Sequence, residues 1–351
     1  MLPSNKSHLP PAPSLLGGGS QTHPQAISHL VHRPFATHQT AITDSVANND
    51  SNNDNQDAGA VPKSEDWSGY SSYYSDQISR FTMMHAYDLV GEMLRDIENA
   101  EIVLDVACGA GAFGLAYLRW FPEGIEGQTL IMTDFSPGMV ATAEKVMNEA
   151  VGPNFKTKIQ YHVEDATMLE GIKDDSIDVV TSVFGVFLVP DHNKTMNTVK
   201  RVLRPGRGVF GTTAWTIFRE LPPATGVSLH HLFDEFLKST KGMTDEEILE
   251  NIPYRLWSDP KAVRDIVGTK AGFQSVRIRH ALHTVTFTTP YTVWDIITNN
   301  PAANGGVDES DPTIQKAKKE FIEMLVVDGN DDTDAANVLT ASNLIVAKGF
   351  E

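Results

Sequence analysis

Val103-Leu-Asp-Val-Ala-Cys-Gly-Ala-Gly-Ala-Phe-Gly114 decides how this chain folds. Ile102 to Val106 is apolar apart from Asp105, which is the composition of a strand buried on both faces of an α/β sheet. Gly109 and Gly111 allow a sharp turn and the close approach of a ligand to the backbone. Helical sequence follows, from Ala112 to Phe121. The turn therefore presents free N–H groups at a helix N-terminus, where polar and anionic ligand groups are welcome.

Two kinds of ligand use such a turn. Gly109-Ala-Gly-Ala-Phe-Gly114 satisfies the dinucleotide pattern GxGxxG, which is a weak signal by itself. Asp105-Val-Ala-Cys-Gly-Ala-Gly111 resembles the first motif, DxGxGxG, of the class I S-adenosyl-L-methionine (SAM) methyltransferases. Ala107 stands where that pattern has glycine, as it does in the quinone-biosynthesis C-methyltransferases. Asp105 separates the two readings. An acid inside the turn repels a pyrophosphate, whereas it suits the ammonium of a methionine moiety. The resemblance implies SAM as cofactor, with Asp105, Ala107, Cys108, Gly109 and Gly111 around it.

The rest of the chain extends this resemblance. Thr129 to Asp134 reads as a second strand ending in an acid able to accept from both ribose hydroxyls. Phe135-Ser-Pro-Gly138 opens a helix to about Ala150, with Ser136 as N-cap and Pro137 in the first turn. The resemblance implies that Phe135 and Met139 lie against the adenine. It also implies that Asp165, beside Ala166 after a third strand, accepts from the adenine amino group. Ile177 to Phe184 is the fourth strand, and Phe184 offers an apolar platform near the sulfonium. Arg204-Pro-Gly206 ends the helix before strand five, Gly208 to Trp215. Ser275 to Thr288 and Asn337 to Ala347 read as a closing antiparallel pair.

The expected fold is α/β: a doubly wound, seven-stranded, mainly parallel sheet with an antiparallel last strand and a helical lid. The methyltransferase domain is expected over residues 64–351, with lid elements around 64–98, 216–258 and 290–335. Trp67, Tyr70, Tyr73 and Tyr74 precede a helical stretch from Phe81 to Ile97, either as a lid over cofactor and substrate or as a staple to the core.

Composition limits the partners. The chain has 351 residues, with 28 Lys and Arg against 45 Asp and Glu, a net charge of −17. An acidic globule is a poor partner for nucleic acid and for anionic membrane. Cys108 is the only cysteine, so neither an intrachain disulfide nor a cysteine metal cluster is expected, and its role is packing. No apolar run approaches ~20 residues, so no transmembrane segment is expected. Residues 1–63 are rich in Pro, Gly, Asn and Ser and read as a disordered tail. The expected compartment is cytoplasmic, with a mitochondrial transit segment as the alternative reading of that tail.

The function this implies is transfer of the SAM methyl group to a small organic acceptor by in-line displacement. The sulfonium already activates the methyl carbon, so the protein has to align a nucleophile and keep water out. A base is needed only if the acceptor loses a proton during attack, and Tyr74, His85 and His192 are the candidates. No metal pair is evident. One alternative is an NAD(P)-dependent oxidoreductase, which leaves Asp105 unexplained and lacks a Tyr-x-x-x-Lys pair. The other is a non-catalytic SAM-binding regulator.

Overall fold

The computed structural model describes residues 62–216, 227–251, 253–301, 307–326 and 331–350. Nearly all of the expected tail, 1–63, lies outside the described residues, as do parts of the expected lid spans 216–258 and 290–335.

The glycine turn follows β1 (Ile102–Val106), and four more parallel strands extend the sheet on either side. They are β2 (Thr129–Asp134), β3 (Lys158–Val163), β4 (Val179–Val183) and β5 (Val209–Trp215). Parallel register holds throughout, with Leu104 beside Ile131 on one edge and Val180 on the other. Two 13-residue strands, β7 (Ser275–Phe287) and β8 (Ala336–Lys348), close the sheet. β8 runs antiparallel to β5 and, along its other edge, antiparallel to β7 over the full length. An eighth strand joins the seven expected: β6 (Val227–Ser228) pairs parallel with β8. Two residues carry no readable periodicity, which is why the sequence does not announce it.

Helices cover the sheet. α1 (Ser64–Tyr73) and α2 (Ser79–Glu92) are joined by a wide π-type turn at Tyr74–Ile78, and α3 (Leu94–Glu98) leads into β1. The helix therefore begins 17 residues before Phe81, where the sequence placed its start. The Ser- and Gly-rich α1 has little helical propensity of its own. It is held from outside: Ser68 Oγ lies 2.8 Å from Ser136 Oγ and accepts from Gly138 N at 3.2 Å. A Cβ on Gly138 would stand 2.7 Å from Ser68 Cα, so this approach requires the glycine.

α4 (Ala112–Trp120) follows the glycine turn, and α5 (Pro137–Ala150) follows β2 with Ser136 capping Met139 N, as the sequence indicates. α6 (His192–Val202) precedes β5. α7 (Leu229–Lys241), α8 (Asp245–Asn251), α9 (Pro253–Ser258) and α10 (Pro260–Val263) lie between β6 and β7. α11 (Pro290–Thr298) and α12 (Pro312–Leu325) lie between β7 and β8. No described helix is long and apolar enough to cross a membrane.

Apolar burial forms two clusters. One surrounds the parallel strands and includes Leu104, Phe113, Leu130, Val180 and Phe210. The other joins α1 and α2 to α7, α11 and α12 through Tyr70, Phe81, Phe236, Trp294 and Phe321. Trp215, at the end of β5, packs against both clusters.

Candidate functional site

The carboxyl ends of β1, β2, β4 and β5 meet at one edge of the sheet, where open α/β folds bind ligands. The backbone turns sharply there. Ala107 (φ 52°), Gly109 (φ 53°) and Gly111 (φ 92°) are all left-handed. For alanine this costs roughly 1–2 kcal/mol. Its methyl group also constrains the loop after β4, since a Cβ on Gly185 would lie 2.5 Å from Ala107 Cβ. Ala107 in the motif and Gly185 across the sheet are thus a matched pair. Cys108 N–H donates to Thr133 O at 2.8 Å, and its buried side chain packs as expected. Burial, with Asp134 and Asp105 nearby, pushes that thiol well up.

Asp134 ties two turns together. It is 5% exposed. Its Oδ2 accepts from Gly109 N and its Oδ1 from Ser136 N, both at 2.9 Å. Burial pushes the carboxyl up to about 6, against the opposing effect of those N–H groups. A carboxylate has about four acceptor positions, so acceptor capacity remains for a ligand hydroxyl group.

Asp105 is fully buried, and Oδ1 accepts from Thr181 Oγ1 at 3.0 Å. Oδ2 is equally buried and has no partner among the described residues. Burial, followed by Asp134, raises this carboxyl well above the usual range. An orphaned buried carboxylate calls for a cation or a strong donor. The ammonium of SAM supplies one, and a dinucleotide pyrophosphate does not.

The remaining expected cofactor contacts fall around the same edge. Phe135 is 39% exposed, a free apolar surface directly after Asp134, and its carbonyl accepts from Ser64 Oγ at 3.0 Å. Asp165 is exposed after β3 with Oδ1 on Thr167 N at 2.7 Å, and Ala166 is buried beside it. Met139 is buried in the second apolar cluster with Tyr70 of α1. Phe184 is buried and stacks on Trp215 with ring centroids 3.7 Å apart. These residues fit SAM: two acids for its polar groups, an apolar face for the base and aromatic rings at the strand ends.

Of the candidate bases, Tyr74 comes nearest the glycine turn. Its ring lies 3.6 Å from where a Cβ on Gly109 would stand. Burial pushes its hydroxyl up to about 12, with the Thr82 hydrogen bond opposing and Asp134 adding. It is a neutral donor at pH 7. His85 is buried against Phe184, with both ring nitrogens on hydroxyl groups. His192 opens α6, its Nε2 lies 3.2 Å from the Phe187 carbonyl, and its ring sits edge-on to Trp257. Burial lowers its pKa. Tyr74 and His85 thus come to the site edge, and His192 is tied to the loop beneath it. Among the described residues no group of His, Cys, Asp or Glu is arranged for a metal ion.

The sequence did not single out Trp215, Thr181, Ser68 or Gly185. Trp215 had a signal: it ends β5 as Asp134 ends β2. The others matter through partners distant in the chain.

Residues 103–206 match the family model of a methyltransferase domain. An uncharacterised protein of Mycobacterium tuberculosis is 34% identical over 114 residues, 32% of this chain and 37% of that protein. A ubiquinone/menaquinone biosynthesis C-methyltransferase of Rickettsia rickettsii is 32% identical over 115 residues, 32% of this chain and 45% of that protein. The chain thus spans less than half the length of these curated relatives. Among solved structures, YcgJ from Bacillus subtilis is similar with a TM-score of 0.45 and 16% identity, over 75% of this chain and 99% of that one. Haemonchus contortus phosphoethanolamine N-methyltransferase 2, in complex with SAM, has a TM-score of 0.38 and 18% identity, over 71% of this chain and 49% of that one.

Proposed function

We propose that this chain, whose residues 103–206 match a methyltransferase domain, is a class I SAM-dependent methyltransferase that moves a methyl group onto a small, largely apolar organic acceptor. The observation that carries the reading is the orphaned buried Oδ2 of Asp105 beside the glycine turn. Bound SAM supplies a methyl carbon already activated by its sulfonium.

The chain's own residues then bind, orient and exclude water. Asp105 holds the ammonium and Asp134 the ribose hydroxyls, while Phe135 and Asp165 take the adenine. Tyr74 closes over the turn as a neutral hydrogen-bond donor. The acceptor side in this reading is aromatic: Phe81, Phe184 and Trp215 pack with His85 and His230 at the strand ends. Burial pushes both histidines down to about 3, so they stay uncharged at pH 7. Such a wall favours an uncharged, planar or aliphatic surface on the acceptor. Alignment in a dry site is then the main catalytic contribution. The net charge of −17 argues against a nucleic-acid acceptor.

The test is incubation of purified protein with methyl-labelled SAM and a panel of apolar phenols, quinols, amines and thiols. Label in an extracted small molecule, lost in Asp105→Ala, supports the reading. Absence of S-adenosylhomocysteine (SAH) binding by the wild-type protein refutes it.

A further inference from the structure

His85 forms a polar pin inside the apolar wall. It lies fully buried in α2, with Nε2 3.0 Å from Thr340 Oγ1 and Nδ1 2.8 Å from Ser342 Oγ. The direction of each hydrogen bond follows from proton counting. Thr340 Oγ1 also reaches the His283 carbonyl, at 3.4 Å, and a carbonyl only accepts. Thr340 has one proton and gives it to that carbonyl, so it accepts from His85 Nε2–H. Ser342 therefore donates to Nδ1. One neutral tautomer satisfies the whole chain, and its only basic lone pair is occupied.

The ring is also placed against the reacting edge of the sheet. It meets Phe184 edge-on at 5.3 Å and Trp215 at 5.7 Å. Ser342, which holds Nδ1, is the cross-strand partner of Trp215. Phe184 has a left-handed backbone, φ 56°, and its N–H donates to Thr213 Oγ1 at 3.0 Å. A bulky residue in that conformation is strained and persists only where its surroundings hold it. His85 and Trp215 provide those surroundings.

We propose that His85 is a positioning residue for methyl transfer: it locks the Phe184–Trp215 stack at the carboxyl ends of β4 and β5, against the reacting methyl group. The inference rests on the SAM-binding reading of the site. It gives His85 a different part from the general base that sequence suggests, because Nδ1 is already taken by Ser342.

The experiment needs no acceptor. SAM with a carbon-13 methyl group is bound to wild-type protein and to the variants His85→Leu and His85→Gln, and the bound methyl resonance is recorded. SAH affinity is measured alongside by calorimetry. The methyl of the wild-type complex should be displaced from its free position by the aromatic rings. His85→Leu should keep SAH affinity within about threefold yet lose about half of that displacement. Glutamine retains one donor and one acceptor, so His85→Gln should restore most of it. A wild-type resonance in His85→Leu overturns the proposal. If His85→Leu does not fold, Ser342→Ala carries the same test, and an unmoved resonance there has the same meaning. Failure of wild-type protein to bind SAH refutes the cofactor reading itself.

Discussion

The glycine-turn edge, proposed to take the cofactor, and the aromatic cluster around His85, proposed to face the acceptor, are specified in different ways. At the cofactor edge, contacts stay within one strand–turn–helix unit or between neighbouring parallel strands. Asp134 collects N–H groups from Gly109 and Ser136, and Asp105 is held by Thr181 of the adjacent strand. At the acceptor wall, side chains act on side chains from opposite ends of the chain. His85 finds its partners 255 and 257 residues away, and Phe81 meets Phe287. A short motif can encode the first arrangement. The second exists only after the sheet has closed.

The largest effect should come from Asp134→Ala, which removes the ribose acceptor and frees two N–H groups together. SAH affinity should drop about 100-fold by calorimetry, with a lower Tm. A drop in Tm with unchanged affinity would make Asp134 only a turn clamp.

Gly185→Ala tests the backbone half of the comparison. Its new methyl would collide with Ala107 Cβ, and stability in urea should fall by about 1–3 kcal/mol. Adding Ala107→Gly should recover part of that loss, because it removes the contact with Ala107 Cβ and a left-handed alanine while the approach to Ser182 Oγ, 2.8 Å, remains. No recovery would show that the two positions are not a pair.

Acidity gives a smaller and reversible change. Asp134 is raised from 3.8 to about 6 in the folded protein. The folded state therefore binds more protons than the unfolded chain between these values, so this residue subtracts stability as pH rises from about 4 to 6. The carboxylate form accepts the ribose hydroxyls, so SAH affinity moves the opposite way. The contribution of Asp134 to affinity should be flat above pH ~6 and fall by up to about tenfold per unit below it, a step that Asp134→Asn should lack. A pH-independent affinity from 5 to 8 would contradict the ribose role.

Tyr74→Phe should have the least effect, about a threefold loss of SAH affinity, because the ring still covers Gly109 when the hydroxyl is gone. A complete loss of binding would mean that the lid, and not the glycine turn, dominates the site.

Sequence legibility follows the same division. Apolar runs locate β1, β2, β4 and β5, helped in β1 and β2 by an acid at or next to the strand end, because parallel strands are buried on both faces. The alternation of Ser275 to Thr288 reveals the antiparallel pair for a similar reason. α1 escapes the sequence, since its Ser- and Gly-rich residues have low helix propensity and its contacts to Ser136 and Gly138 are long-range. His85 is visible as a histidine on a helix, but its proton inventory depends on Thr340 and Ser342, which no local pattern connects to it.

In the proposed function the glycine turn binds SAM through Asp105 and Asp134. Calorimetric titration of the purified protein with SAH and, separately, with NADH tests it most directly. Micromolar binding of SAH and none of NADH is the predicted result. Binding of NADH alone would contradict it and make Gly109-Ala-Gly-Ala-Phe-Gly114 a dinucleotide site.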